Sequence, residues 1–280
     1  MGNRAVYQYT VIIPYRDTVD LLHKAVSSIP DRDDIQVVIV DNSVALLTEE
    51  QIPKKQSANV VYISSDPTMG AGRARNEGLK HIEGQYVLFL DSDDYFISGA
   101  FDEFDKYSSK VYDIVFFMAD SVKLSTGEKS NRHKTIEKNI HSYFETGNED
   151  FLRYRFANPV CKLIRSNLIV ENNIRFEEVK VSNDAMFSLR TGYKAKTVTA
   201  SPVAVYMITE AEKGVSLTTD TSAENSFIRY QVAIRGYKFL KSVGRPDIRP
   251  RFFSYMLYAL RNYGVKEMWK YIVYYIKNRP

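Results

Sequence analysis

Through its first hundred residues the chain alternates unbroken apolar runs with stretches in which apolar residues recur every three or four positions. YTVIIP (Tyr9 to Pro14) is β-branched and stops at a proline. Leu21, Leu22, Ala25, Val26 and Ile29 then recur at helical spacing, with Asp17 or Thr18 as N-cap. IQVVIV (Ile35 to Val40) ends at Asp41, and a helical or irregular passage leads to NVVYI (Asn59 to Ile63). A glycine-containing turn, a helix through Ala74 to His81 and the run YVLFL (Tyr86 to Leu90) follow. Apolar strands separated by helical patterns predict an α/β fold with a mostly parallel central sheet and helices on both faces. Later, Val111 to Ala119 reads as a strand, Ser125 to Asn148 as a polar loop, and Thr197 to Ile208 as a strand pair. Residues 226–280 read as helices.

In such sheets ligands bind beyond the carboxyl ends of the strands, where Tyr15, Asp41 and the cluster DSDD (Asp91 to Asp94) stand. Three carboxylates within four positions repel one another unless a cation or hydrogen-bond donors hold them. The cluster reads either as an Asp-rich turn closing a strand or as a site for Mg²⁺ or Mn²⁺, which takes one or two carboxylates and substrate phosphates.

Composition narrows the classes. The 280 residues are 44% hydrophobic and 26% charged, as expected of a globular chain of one or two domains. One cysteine, Cys161, and four scattered histidines offer no thiolate or imidazole metal site, so Cys161 reads as a small buried hydrophobe in a reducing cytoplasm. No apolar run reaches the roughly 18 residues of a membrane span, and no signal-peptide pattern opens the chain. The net charge of +4 conceals a basic tail: residues 249–280 hold seven Lys or Arg and one Glu, which leaves −2 for the rest.

The cluster does not stand alone. VIIPYRD, VVIVDNS, MGAGRARNEGL and VLFLDSDD occur in that order over residues 11–94. Here the chain resembles the inverting family-2 glycosyltransferases of the GT-A fold, clearly over residues 9–117 and more weakly to about 217. The resemblance implies a catalytic domain over 1–220, with a nucleotide-binding half (1–105) and an acceptor-binding half (106–220), then a helical extension over 221–280. It implies that Asp41 hydrogen-bonds the uracil of a UDP-sugar, with Pro14 and Tyr15 beside the nucleotide and Arg75 near base or phosphate. Asp91 and Asp93, flanking Ser92, become a DxD pair, Asp91 facing the ribose and both serving a Mn²⁺ or Mg²⁺ on the diphosphate. Arg16 departs from the family's usual Asn, and VDNS carries one carboxylate where relatives often have two. GAGRAR is no dinucleotide fingerprint, because Arg75 occupies the place of its third glycine.

In the second half, Asn183-Asp184 stands where relatives carry Glu-Asp, which implies Asp184 as the general base on the acceptor hydroxyl. The alternatives are a carboxylate favoured by a helix dipole, or Glu177 or Glu178 as base. NPVCKLIRSNLI matches a Lys-Leu element and makes Lys162 a site residue. Thr209 to Thr219 corresponds to a loop that in relatives moves over the donor. In the tail, Val265, Met268, Trp269, Ile272, Val273 and Ile276 make a helical apolar stripe with Lys266, Lys270 and Lys277 on another face. That stripe either packs on its own domain or meets a membrane interface. No nucleic-acid motif accompanies the charge.

The resulting expectation is a cytoplasmic, metal-dependent enzyme, peripheral to the membrane if the stripe within residues 249–280 meets the interface, that moves sugar from a UDP-sugar to a hydroxyl of a glycan or lipid-linked acceptor in surface polysaccharide synthesis. The alternative is a non-catalytic nucleotide-sugar-binding or scaffold protein of the same fold.

Overall fold

The computed structural model describes residues 6–54, 57, 59–68, 70–110, 112–211 and 220–279. Its strands are β1 (Tyr7–Tyr15), β2 (Ile35–Asp41), β3 (Val60–Ser64), β4 (Gly84–Phe89), β5 (Tyr95–Phe96), β6 (Ile114–Lys123), β7 (Lys162–Arg165) and β8 (Val198–Glu210). They form one sheet in the order β3-β2-β1-β4-β7-β6-β8-β5. Four of its seven pairings are parallel, including the consecutive set β3-β2-β1-β4. All seven residues of β2 are buried, which is why its sequence does not alternate.

Helices α1 (Val19–Ser27), α2 (Gly70–Gly78), α3 (Ala100–Ser108), α4 (Lys134–Thr146), α5 (Asp150–Arg153), α6 (Ser166–Glu171) and α7 (Ala185–Lys194) belong to this α/β body. They are followed by α8 (Ala223–Ser242), α9 (Phe252–Tyr263) and α10 (Val265–Lys277). One apolar core unites the sheet with α1 to α7, and a second, smaller one is built by Tyr230, Ile234, Tyr237, Phe252, Ala259 and Tyr271 of α8 to α10. Among the described residues no helix is long and apolar enough to cross a membrane.

Two expectations are corrected. The polar passage 125–148 contains the thirteen-residue helix α4, whose buried Ile136, Asn139 and Ile140 form a narrow stripe hidden among polar neighbours. The strand pair over 197–208 is the single strand β8. Its register against β6 jumps from Ser201 to Ala204, a bulge that takes up Pro202. The stripe of α10, open between packing and an interface, divides: the helix docks through Tyr271 and Tyr274 onto Phe227, with ring centroids 5.0 and 5.6 Å apart, Met268 and Ile272 are half-buried, and Trp269 and Ile276 are exposed.

Candidate active site

The parallel register aligns the chemistry. Tyr15 at the end of β1 lies opposite Asp41 at the end of β2, and β4 runs out one residue before Leu90 and the carboxylate cluster. The cluster closes as a turn, the Asp94 amide donating to the Asp91 carbonyl at 3.0 Å. The distal end of β8 holds it in place. The Asp91 amide donates to the Tyr206 hydroxyl at 3.0 Å, the Thr209 amide to Asp94 Oδ1 at 2.7 Å, and the Thr209 hydroxyl to the Asp93 carbonyl at 2.5 Å.

The helix α2 explains the glycine and ARN positions of the third motif. A Cβ on Gly72 would stand 2.3 Å from the Glu177 carbonyl, so only glycine lets the helix approach the segment before α7 this closely. Asn76 clamps the same segment, accepting from the Phe176 amide at 2.8 Å and donating to its carbonyl at 3.0 Å. Between them Arg75 points into the site. Its Nη2 donates to Asp91 Oδ1 at 2.5 Å, its Nη1 to Asn183 Oδ1 at 3.0 Å, and its guanidinium lies 5.4 Å from the Phe176 ring centre.

These groups line a cavity of about 400 Å³ with Pro14, Arg75, Asp91, Ser92, Asp93 and Asp184 among its walls. The three clustered carboxylates are held differently. Asp91 pairs with Arg75. Asp94 is buried on the Thr209 amide, and desolvation, followed by the charges of Asp93 and Asp91, raises its pKa well above the ordinary value. Asp93 is open to the cavity and has no ion pair among the described residues, and desolvation by the surrounding walls together with the charge of Asp91 pushes it up to about 6. Among the described residues no three carboxylate, imidazole or thiolate groups converge as a ready metal cage. A hard divalent cation that brings phosphate and water as its other ligands needs only one or two carboxylates, and the oxygen donors of Asp93 and Asp91 fit that demand.

Asp184 occupies the N-cap of α7 but makes no side-chain capping bond, so its carboxylate is not committed to the helix. Desolvation raises its pKa, Arg75 and Lys162 lower it and Asp91 raises it, so it stands within the electrostatic reach of the donor-side groups. Glu177 and Glu178 are otherwise engaged, Glu177 by Arg235 at 2.8 and 3.0 Å and Glu178 by Arg73 at 3.3 Å.

Three expected residues do not line the cavity. Asp41 is fully buried, its Oδ1 accepting from the Ser43 amide at 2.9 Å and its Oδ2 from the Leu47 amide at 3.0 Å and the Tyr62 hydroxyl at 2.7 Å. Tyr15 is buried beside it. Lys162 lies behind the wall, donating to the Phe156 carbonyl at 2.9 Å and the Ser188 hydroxyl at 3.1 Å, and burial lowers its pKa to about 7. Of the Thr209 to Thr219 loop, residues 212–219 lie outside the described residues.

The structure adds Arg132, Lys180 and Arg229 to the cavity wall, and Tyr206 and Thr209 as supports of the carboxylate turn. No motif marks any of these in the sequence. Cys161 and Ser182, at φ 60° and 57°, adopt left-handed backbone immediately before Lys162 and Asn183. Such strain persists where the surrounding structure imposes it.

Comparison with known proteins bears on the fold and the family. The fold is similar to that of Staphylococcus aureus TarS 1-349, solved in complex with UDP-GlcNAc, with a TM-score of 0.63 at 21% identity over 81% of this chain and 66% of that one. Residues 10–171, more than half of the chain, match the sequence model of Glycosyl transferase family 2, and the protein belongs to that family. It is 26% identical over 193 residues to GalNAc(5)-diNAcBac-PP-undecaprenol beta-1,3-glucosyltransferase of Campylobacter jejuni, covering 67% of this chain and 60% of the relative. It is 26% identical over 208 residues to poly(ribitol-phosphate) beta-glucosyltransferase of Bacillus spizizenii, covering 69% of this chain and 30% of the relative. The chain thus spans between about a third and three fifths of the length of these two relatives.

Proposed function

We propose that the protein is an inverting glycosyltransferase that moves a sugar from a UDP-sugar to a hydroxyl of a glycan or lipid-linked acceptor in surface polysaccharide assembly, at the cytoplasmic side of the membrane. The observation that carries this reading is the pairing, in one cavity, of a donor-side carboxylate turn with an uncommitted carboxylate, Asp184, with Arg75 linking the two sides. The relatives named above act on undecaprenol-linked and poly(ribitol-phosphate) acceptors, and TarS binds UDP-GlcNAc, which supports the donor and acceptor classes.

In this reading Asp93 and Asp91 hold Mn²⁺ or Mg²⁺, which when bound supplies charge neutralisation for the departing diphosphate. Pro14 and Ser92 border the donor, and Arg75 orients Asp91 while adding positive charge beside the leaving group. Asp184 takes the proton of the acceptor hydroxyl, which attacks the anomeric carbon from the face opposite the nucleotide. A pKa raised by desolvation makes Asp184 a stronger base than an exposed aspartate. Asn183 replaces the family's Glu, but as a partner of Arg75 it keeps a role in the wall.

The test is a screen of nucleotide sugars for metal-dependent UDP release with lipid-linked and phosphate-polymer acceptors, run on wild type and Asp184→Asn. Transfer should fall about 10²–10⁴-fold in the variant with donor affinity nearly unchanged. Tight donor binding by wild type with no transfer to any acceptor would return the non-catalytic reading.

A further inference from the structure

The helix α10 turns toward solvent four of the six residues that its sequence pattern marks as apolar, with Met268 and Ile272 half-buried. Val265, Trp269, Val273 and Ile276 are 57, 55, 43 and 67% exposed, whereas Tyr271 on the opposite side is 1% exposed. Tyr271 stacks between Phe227 and Tyr230 of α8, with ring centroids 5.0 and 4.8 Å away. The helix is therefore anchored through aromatic residues, and its outward orientation is set by that packing. Lys266, Lys270 and Lys277, all exposed, form the row next to the apolar one.

A helix on a water-soluble surface buries its apolar stripe. Four large apolar side chains held together in water beside a lysine row have the pattern of a helix lying in the plane of a bilayer surface, where apolar groups enter the headgroup boundary and lysines reach lipid phosphates. We propose that α10 docks the protein on an anionic lipid surface through Val265, Trp269, Val273 and Ile276, with Lys266, Lys270 and Lys277 as the electrostatic contacts. Charge complementarity selects this occupant. The sole acid of the helix, Glu267, is half-buried and pairs with Lys270 at 2.6 Å, which leaves the exposed row positive. The helix that receives α10 also contributes to the active cavity, since α8 carries both Phe227, which packs on α10, and Arg229, which lines the cavity. Docking does not depend on the transfer reading, because it requires neither donor nor acceptor.

Trp269 is the only tryptophan of the chain, so intrinsic tryptophan emission reports this face alone. The full-length protein should co-sediment with phosphatidylcholine vesicles containing phosphatidylglycerol, with a blue shift of Trp269 emission, and both effects should weaken as salt screens the surface. Vesicles of phosphatidylcholine alone should give neither. Joint Lys266→Glu, Lys270→Glu and Lys277→Glu substitution should lower partitioning at least ~10²-fold. Ile276→Glu should remove the blue shift with an unchanged urea midpoint, because the side chain is exposed in the folded protein. Trp269 emission indifferent to anionic vesicles would overturn the proposal. So would a blue shift that grows with protein concentration without vesicles and tracks a dimeric mass, which would assign the face to a second copy of the chain.

Discussion

The guanidinium of Arg75 and the carboxylate of Asp91 form a 2.5 Å ion pair in the cavity wall, with Arg75 itself nearly sequestered from solvent and Asp91 36% exposed. The pair resolves part of the repulsion inside the Asp91–Asp94 turn, because it gives the first carboxylate a counter-charge, while Asp93, the turn's other cavity-lining carboxylate, has no ion pair among the described residues.

Removing Arg75 should therefore act on stability and site together. Arg75→Ala leaves Asp91 uncompensated and strips Asn183 of its donor. With Asp91 partly solvated the expected loss is about 1–3 kcal/mol in urea unfolding. Arg75→Lys restores the charge but not the two-pronged contact with Asp91 and Asn183, so it should recover stability more than transfer. Equal recovery of both would show that the charge alone is needed.

Asp93 and Asp94, adjacent in sequence, should separate in their effects. Asp93→Ala should abolish the strengthening of UDP binding by Mn²⁺ in calorimetry, with little change in folding. Asp94→Ala removes the acceptor of the Thr209 amide from a buried position and should cost about 1–3 kcal/mol of stability. Equal UDP affinity of wild type in Mn²⁺ and in chelator would remove the metal from the reading.

Lys162 supplies a pH test. Burial lowers its pKa from 10.5 to about 7, opposed by the Asp184 and Cys161 side chains that face it. Between those values the unfolded chain holds a proton that the folded one has released, so stability rises with pH. Below about 7 both states are protonated and the penalty is complete. The difference in unfolding free energy between wild type and Lys162→Met should thus shift in favour of wild type by up to about 1.4 kcal/mol per pH unit between about pH 7 and pH 9, and be flat below. A flat difference across that range would mean that Lys162 stays charged in the folded protein.

Much of this was legible in the sequence where function depends on local runs. The apolar stretches of β1, β2 and β4, the turn at Asp91 and the GAGRARNEGL helix each lie within one short segment, and both periodicity and resemblance read such segments directly. What was missed depends on long-range packing. Tyr206 and Thr209 reach the Asp91–Asp94 turn from more than a hundred residues away, and Arg132, Lys180 and Arg229 meet only around the cavity. The helix α4 escaped notice because two isoleucines and an asparagine suffice to seat it. For α10 the periodicity identified an apolar face correctly, but which face meets α8 is decided by the fit of Tyr271 between Phe227 and Tyr230, and no spacing rule contains that.

Asp41 is the sharpest test of the donor assignment, because its expected contact and its observed bonds compete for the same oxygens. A carboxylate offers about four acceptor positions. Oδ2 already takes the Leu47 amide and the Tyr62 hydroxyl, while Oδ1 takes only the Ser43 amide. We propose that the remaining position on Oδ1 receives the ring N–H that uracil has and neutral cytosine lacks. Since Asp41 has no solvent exposure, this contact requires the 42–47 loop to shift when the base enters. Asp41→Ala, which removes every acceptor, should then lose stability, by about 1–3 kcal/mol, and also most of the preference for UDP over CDP. Tyr62→Phe, which deletes one internal donor and leaves the carboxylate intact, should lose stability by about 1 kcal/mol and keep the preference. If Asp41→Ala unfolds more easily yet still prefers UDP to the wild-type extent, the residue serves only to hold the loop, and base recognition belongs to another group.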